Sequence, residues 1–249
     1  CYIHNVGGNG IFFDKYNRHS AITGSFLTSI GASAICFVGD PAGVRSPSFR
    51  YEEFVTLDKM DRAKGPLNEN HPAYCEVYNN LICNIGLFEK QITGVELSMC
   101  RNITISHNSI YDTPRAGINI SEGTWGGHII EHNDIFNTVK ETGDHGSINS
   151  WGRDRFWHPD YNVMAQIVCE HPALILADIV NPIIIRHNRL RCDRGWDIDL
   201  DDGSSNYQIY DNRCLNGGIK LREGFYRTVA NNILINNTLH PHLWMSLIH

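Results

Sequence analysis

The sequence predicts an all-β fold, a right-handed parallel β-helix, on three observations. The first is a repeated asparagine: Asn80, Asn108, Asn133, Asn188, Asn212 and Asn232 stand in YNNLIC, SHNSIY, EHNDIF, RHNRLR, YDNRCL and ANNILI, at spacings of 28, 25, 55, 24 and 20 residues. A period of about twenty to twenty-eight residues belongs to a solenoid, whose units bury their apolar side only by stacking. The long gap reads as two units with an insertion. The second observation is a recurring apolar alternation, TGVELSM, AGINISE, WDIDLDD and GGIKLRE, with Gly or Asn at the corners, so that each unit holds at least two short strands. The third is that no stretch carries a sustained helical period. The right hand follows from the usual handedness of parallel crossovers.

In chain order, the first break in the period runs from Pro41 to Pro72 and is charged and rich in Pro and Gly. The asparagine blocks follow. Asn tolerates left-handed backbone, and its amide can bond the Asn of the coils above and below, so the column reads as a structural ladder at a corner. His107, His132 and His187 each precede a ladder Asn and recur with the repeat. Asn102, Asn119 and Asn236 match the glycosylation pattern, as repeats rich in Asn and Thr do by chance. The second break, Gly152 to Asn181, is rich in aromatics and His. Long insertions on a solenoid emerge as loops that often wall the binding face, and each of these is too short for a domain of its own. Residues 1–249 therefore read as one β-helix domain. Beginning at Cys1 without Met and stopping at His249 directly after an apolar run, the chain reads as a fragment or processed form.

With 42% hydrophobic and 19% charged residues, the composition is that of a globular protein. A formal charge of -6 argues against a nucleic-acid partner. Apolar runs such as Ala173 to Ala177 and Ile183 to Ile185 are too short to cross a bilayer. The eight cysteines include no CxxC or CxxH pair and read as free buried thiols, with one or two disulfides as the alternative.

The chemistry concentrates in Trp196 to Gly203, WDIDLDDG, where alternation puts Asp199 and Asp201 on one face with Asp202 just after. Aligning units on Gly123, Gly152, Gly203 and Gly224 gives two outward columns: Asn119, Asp199 and Lys220, then Ser121, Ser150, Asp201 and Arg222. Glu122, Trp151, Asp202 and Glu223 lie just beyond. Coils stand about 4.8 Å apart, which sets Asp199 beside Lys220 and Asp201 beside Arg222. One coil earlier, GDHGSINSWGR places Asp144 and His145 at the strand entrance and Trp151 and Arg153 at its exit, with Ile148 turned outward. Asp144 is expected within roughly 10 Å of the Asp199/Asp201 pair. Asp144, Asp201 and Asp199 are thus candidate catalytic carboxyls, and His145, Trp151, Arg153, Asp202, Lys220, Arg222, Glu223 and Glu122 candidate substrate contacts. Neighbouring acids and cations push carboxyl pKa values apart, as acid and base chemistry needs. The bland alternative is a solvated salt-bridge ladder.

With these residues in place the chain resembles the pectin-lyase-like right-handed β-helix proteins over its whole length apart from the insertions. GDHGSINSWGRDRFW, WDIDLDDGSSNY and GGIKLREGF look most like the β-helical glycoside hydrolases of family 141, which include fucosidases and xylanases acting on plant cell-wall glycans. That resemblance implies a hydrolase with two catalytic carboxylates in a surface pocket, at Asp144 together with Asp201 or Asp199. It also implies a polysaccharide or oligosaccharide substrate, no cofactor, and a secreted, periplasmic or cell-surface location. A slighter similarity to polygalacturonases, in Asp201-Asp202 and Gly218-Ile219-Lys220, does not extend to the order of their motifs. Two other functions compete. One is a polysaccharide lyase in which Asp199, Asp201 and Asp202 hold Ca²⁺ and Lys220 or Arg222 removes a proton; the other is a non-catalytic glycan-binding solenoid.

Overall fold

Successive coils of the chain contribute strands to three long parallel sheets, described in the computed structural model over residues 1–122, 124–152 and 154–242. The first sheet runs through eight strands from Tyr2–Val6 to Ile233–Ile235 and the second through eight from Ile11–Asp14 to Leu239–Pro241. The third has seven, between Ala21–Thr23 and Arg227–Ala230. This is the expected parallel β-helix. Its register stacks like on like: Ile82, Ile110, Ile135 and Leu190 form one inward column, and Val95, Ile118, Ile148, Ile198 and Ile219 another. Every one of these side chains is 0% exposed, so the core is a continuous rod of mostly β-branched residues, the type that packs best on a pleated surface.

The asparagine ladder is present. Each amide nitrogen donates to the next coil's Oδ1, from Asn80 to Asn108 (3.0 Å), Asn133 (3.0 Å), Asn188 (3.0 Å), Asn212 (3.0 Å) and Asn232 (2.9 Å). Two features correct the sequence reading. Asn133 and Asn188 lie on adjacent coils, so the 55-residue gap is one coil carrying an insertion and not two units. The left-handed backbone belongs to the residue before each ladder Asn: Asn79, His107, His132, His187, Asp211 and Asn231 have φ between 54 and 59°. Left-handed residues turn the corner and leave the following Asn free to point inward. His107, His132 and His187 stack outside it, with ring centroids 4.8 and 5.0 Å apart.

The two insertions follow the second-sheet strands Ile35–Val38 and Gly146–Trp151. Contrary to the absence of helix expected from the sequence, the second insertion contains the helix Tyr161–Glu170, capped by Asp160, whose carboxylate accepts from the Asn162 amide at 2.9 Å. Its apolar stripe, Met164, Ile167 and Val168, covers little more than one turn of a ten-residue helix, too short to stand out as a period. Tertiary packing supplies the rest: these residues join Met60, Phe156, Trp157 and Phe225 in a satellite core shared by the two insertions. Buried Arg155 fastens it, donating to Asp178 (2.5 Å) in its own insertion and to the Asp61 (2.8 Å) and Ala63 (2.5 Å) carbonyls in the other. All eight cysteines are free thiols; Cys1 and Cys169 are exposed and the other six buried. Among the described residues no helix is long and apolar enough to cross a membrane.

Candidate functional site

The outward face of the second sheet carries two columns. In the first, Glu96, Asn119, Asn149, Asp199 and Lys220 lie side by side on successive coils. In the second, Trp151 pairs with Asp201. One strand departs from the predicted register. Ile148 faces inward between Ile118 and Ile198, and Ser150 lies opposite Leu200 in the interior, where its hydroxyl meets the Tyr207 hydroxyl at 2.6 Å. Gly152 had been aligned with Gly203, but its amide donates to the Asp202 carbonyl (3.0 Å), and that offset of one residue reverses every side chain of the strand. The pairings of Asp199 with Lys220 and of Asp201 with Arg222 do not involve this strand and stand as expected.

Lys220 is the hub. Its ammonium is 4% exposed and lies 3.1 Å from Asp199, 3.1 Å from Asp144 and 3.6 Å from Asp201, with the Trp196 ring 5.8 Å away. Asp144 reaches it from the left-handed corner before Gly146–Trp151 (φ 51°), closer than the sequence implied. One cation cannot balance three carboxylates. Asp199, completely buried, bears the consequence: burial, only partly offset by Lys220 and reinforced by Asp201 and Asp144, pushes its pKa up to about 7. Partial burial acts the same way on Asp144, but the hydrogen bond and charge of Lys220 outweigh it and hold that carboxyl low. Lys220 itself stays charged, because Asp199 and Asp201 outweigh the penalty of its burial.

Arg222 organises a second group. Its guanidinium donates to Asp201 (3.0 Å), Asp202 (3.1 Å) and the Tyr161 hydroxyl (3.1 Å), and its Nε lies 3.0 Å from Glu223. Tyr161, from the insertion helix, also meets the Tyr51 hydroxyl of the other insertion at 3.2 Å, so both insertions wall this side of the sheet. Asp144, Tyr161, Trp196, Lys220, Arg222 and Glu223 line a cavity of about 400 Å³. His145, next to Asp144 in the chain, does not line this cavity; its Nδ1 lies 3.0 Å from the Thr142 hydroxyl, and burial, with Arg115 adding to it, drops its pKa to about 4 and keeps it neutral. Asp201, Asp202 and Glu223 stand close enough together to suggest a cation site, yet Arg222 already donates to all three, and Asp199 belongs to Lys220 instead. Ca²⁺ on Asp199, Asp201 and Asp202 does not fit this donor set.

Trp151 and Glu122 depart from the expected patch. They line a neighbouring cavity of about 430 Å³ toward the N-terminal coils, together with Glu96, Arg115 and Ser121. The Trp151 indole donates to Glu122 at 2.6 Å. Arg153 lies outside the described residues, as does Gly123. Sequence reasoning missed Trp196, Tyr161, Glu96 and Arg115. Glu96 was legible, since GVEL occupies the column of DIDL and GIKL; Tyr161 was not, because only folding of the insertion brings it over the sheet. Asn119 is fully buried against Glu96 (2.9 Å), which rules it out as a glycan acceptor in the folded chain.

No protein-family model and no curated protein matches this chain. Among solved structures it is similar to one titled glycoside hydrolase, at a TM-score of 0.56 and 13% identity over 96% of this chain and 35% of that one. The likeness is one of fold. A weaker similarity, TM-score 0.43 and 12% identity, covers 97% of this chain and 55% of the Azotobacter vinelandii mannuronan C-5 epimerase AlgE6 A-module. The chain thus spans about a third of the glycoside hydrolase and about half of the epimerase module.

Proposed function

We propose that the protein is a glycoside hydrolase, acting on plant or other complex polysaccharides through Asp144 and Asp201. The observation that carries this reading is the convergence of both carboxylates on the buried Lys220 ammonium, which with Asp144, Trp196 and Tyr161 lines the cavity. Oxygens lying 3.1 and 3.6 Å from one nitrogen stand at most about 7 Å apart, a range that includes the roughly 5 to 5.5 Å of a nucleophile and acid pair that retains configuration. Asp144, exposed and held ionised by Lys220, is the nucleophile. Asp201 is assigned the acid role, and Asp199, which shares the Lys220 ammonium with it, keeps a proton up to about pH 7. Lys220, Arg222, Glu223 and Trp196 bind hydroxyls and ring faces. The family 141 resemblance and the fold of the glycoside hydrolase neighbour favour the same class, and secretion would accord with such a substrate.

Asp144→Asn and Asp201→Asn are each expected to lower reducing-sugar release from a panel of cell-wall glycans by about a hundredfold or more, with folding retained. Activity within a few-fold of the parent for both variants would reject the pair. An unsaturated, ultraviolet-absorbing product whose formation stops with a chelator would establish the lyase instead, and saturable binding without turnover a carbohydrate-binding solenoid. The pH profile provides a further test. Hydrolysis is expected to fall as pH rises past about 7, where Asp199 loses its proton, and Asp199→Asn is expected to remove that limb from the kcat profile.

A further inference from the structure

The cavity on the N-terminal side of the sheet contains a buried cation that nothing in the catalytic proposal uses. Arg115 is 5% exposed, its guanidinium lies over the Trp151 ring at 5.0 Å, and it lines the cavity beside Glu96, Ser121 and Glu122. Among the described residues no acceptor is within hydrogen-bond distance of this guanidinium, and its Nε is wholly buried without a partner. The nearby acids are otherwise engaged. Glu96 accepts from Asn119 (2.9 Å), Ser121 (3.0 Å) and Thr93 (3.2 Å), and Glu122 accepts from Trp151 (2.6 Å). A buried guanidinium nitrogen without a partner is costly unless a ligand supplies the acceptor, and the guanidinium fork matches a carboxylate or sulfate in two parallel bonds.

We propose that this cavity is a subsite for an acidic sugar unit, whose carboxylate or sulfate is bound by the Arg115 guanidinium against Trp151. Burial pushes the Glu96 carboxyl up to about 7, so in mildly acidic solution it is neutral and does not compete with a ligand anion for Arg115. Trp151 pairs directly with Asp201 in the next coil, about 4.8 Å away along the axis, so a glycan lying along the sheet passes from this subsite to the catalytic cavity. The inference rests on reading the protein as glycan-active and adds that its glycan is anionic.

The test is calorimetric titration of the intact chain with trisaccharides of galacturonate, glucuronate and mannuronate, each beside its fully methyl-esterified form, and with a sulfated and an unsulfated neutral trisaccharide. At least one charged ligand is expected to bind tenfold or more tightly than its uncharged counterpart. A preference confined to the uronates identifies the anion as carboxylate, and one confined to the sulfated sugar identifies it as sulfate. Arg115→Gln is expected to erase the preference, Arg115→Lys to keep part of it, and Glu122→Gln, which removes the neighbouring negative charge, to enlarge it. Equal binding of charged and uncharged forms, no binding of any charged form at millimolar concentration, or a preference that survives in folded Arg115→Gln would overturn the proposal. Should Arg115→Gln not fold, the comparison on the unaltered chain and on Glu122→Gln decides. Binding is read without turnover, so failure here is distinct from failure of the Asp144 and Asp201 assignments, which hydrolysis alone reports.

Discussion

Lys220→Met is expected to abolish hydrolysis by about a thousandfold and to destabilise the fold by about 3 to 5 kcal/mol above pH 7. The reason is geometric. The ammonium is the common partner of Asp144, Asp199 and Asp201, and its loss leaves Asp199, 0% exposed, without a counter-ion. The sign of the pH dependence follows from the direction of the Asp199 shift. Its folded-state pKa, near 7 even with Lys220 present, lies above the ordinary value of 3.8, so between those two values the folded state holds a proton that the unfolded state has released. Stability linked to this group therefore falls as pH rises through that window, and without the lysine the window extends higher. Urea unfolding of Lys220→Met is expected to show a small deficit at pH 5 and the full one at pH 8. The double variant Lys220→Met with Asp199→Asn is expected to recover most of the stability and none of the activity. A deficit independent of pH, or one unrelieved by the second substitution, would mean that lost packing of the lysine stem dominates.

Asn133→Ala is expected to destabilise the protein by about 3 to 4 kcal/mol, because four hydrogen bonds converge on one amide. Its Oδ1 accepts from the Asn108 backbone and side chain, both at 3.0 Å, and its Nδ2 donates to the Ile105 carbonyl at 2.9 Å and to Asn188 at 3.0 Å. Removal strands donors and acceptors on the coils to either side, all of them buried. Asn133→Asp is expected to be at least as damaging: it keeps the acceptor, loses the donor and places a charge against two oxygens. Asn232, at the last rung among the described residues, also makes four hydrogen bonds but is partly exposed, so water replaces much of what is lost and Asn232→Ala is expected to cost about 1 kcal/mol. Equilibrium unfolding of the three variants checks the gradient, and equal losses at Asn133 and Asn232 would show that the ladder is not cooperative along the axis.

The candidate site divides along a clear physical line. The pairs Asp199 with Lys220 and Asp201 with Arg222 were readable because WDIDLDDG and GGIKLREG are successive coils of nearly equal length, so matching their glycines reproduces the stacking. The same device failed one coil earlier. Gly152 ends its strand one residue sooner relative to the turn, and the period of two turned that slip into a reversal of faces for Ile148 and Ser150. Trp151, read from the sequence as standing just beyond the outward column, takes the place in that column expected for Ser150 and lines the neighbouring cavity, since nothing local records that its indole is drawn to Glu122 on the preceding coil. The insertion helix went unread because its three turns are held by contacts with Met60, Phe156 and Phe225, which are distant in sequence.

By itself, the sequence determined the solenoid, the asparagine ladder and the alternation that turns the acids of WDIDLDDG outward. These all follow from local period and from residue types that recur at the same place in each coil. Only the tertiary structure decided that three carboxylates share one lysine, that the two insertions meet through Arg155 to wall the site, and that the Arg115 Nε is buried without a partner among the described residues. Each of these depends on how side chains from different coils and loops meet in space, and that is set by the chain's excursions, whose lengths and folds no repeat encodes.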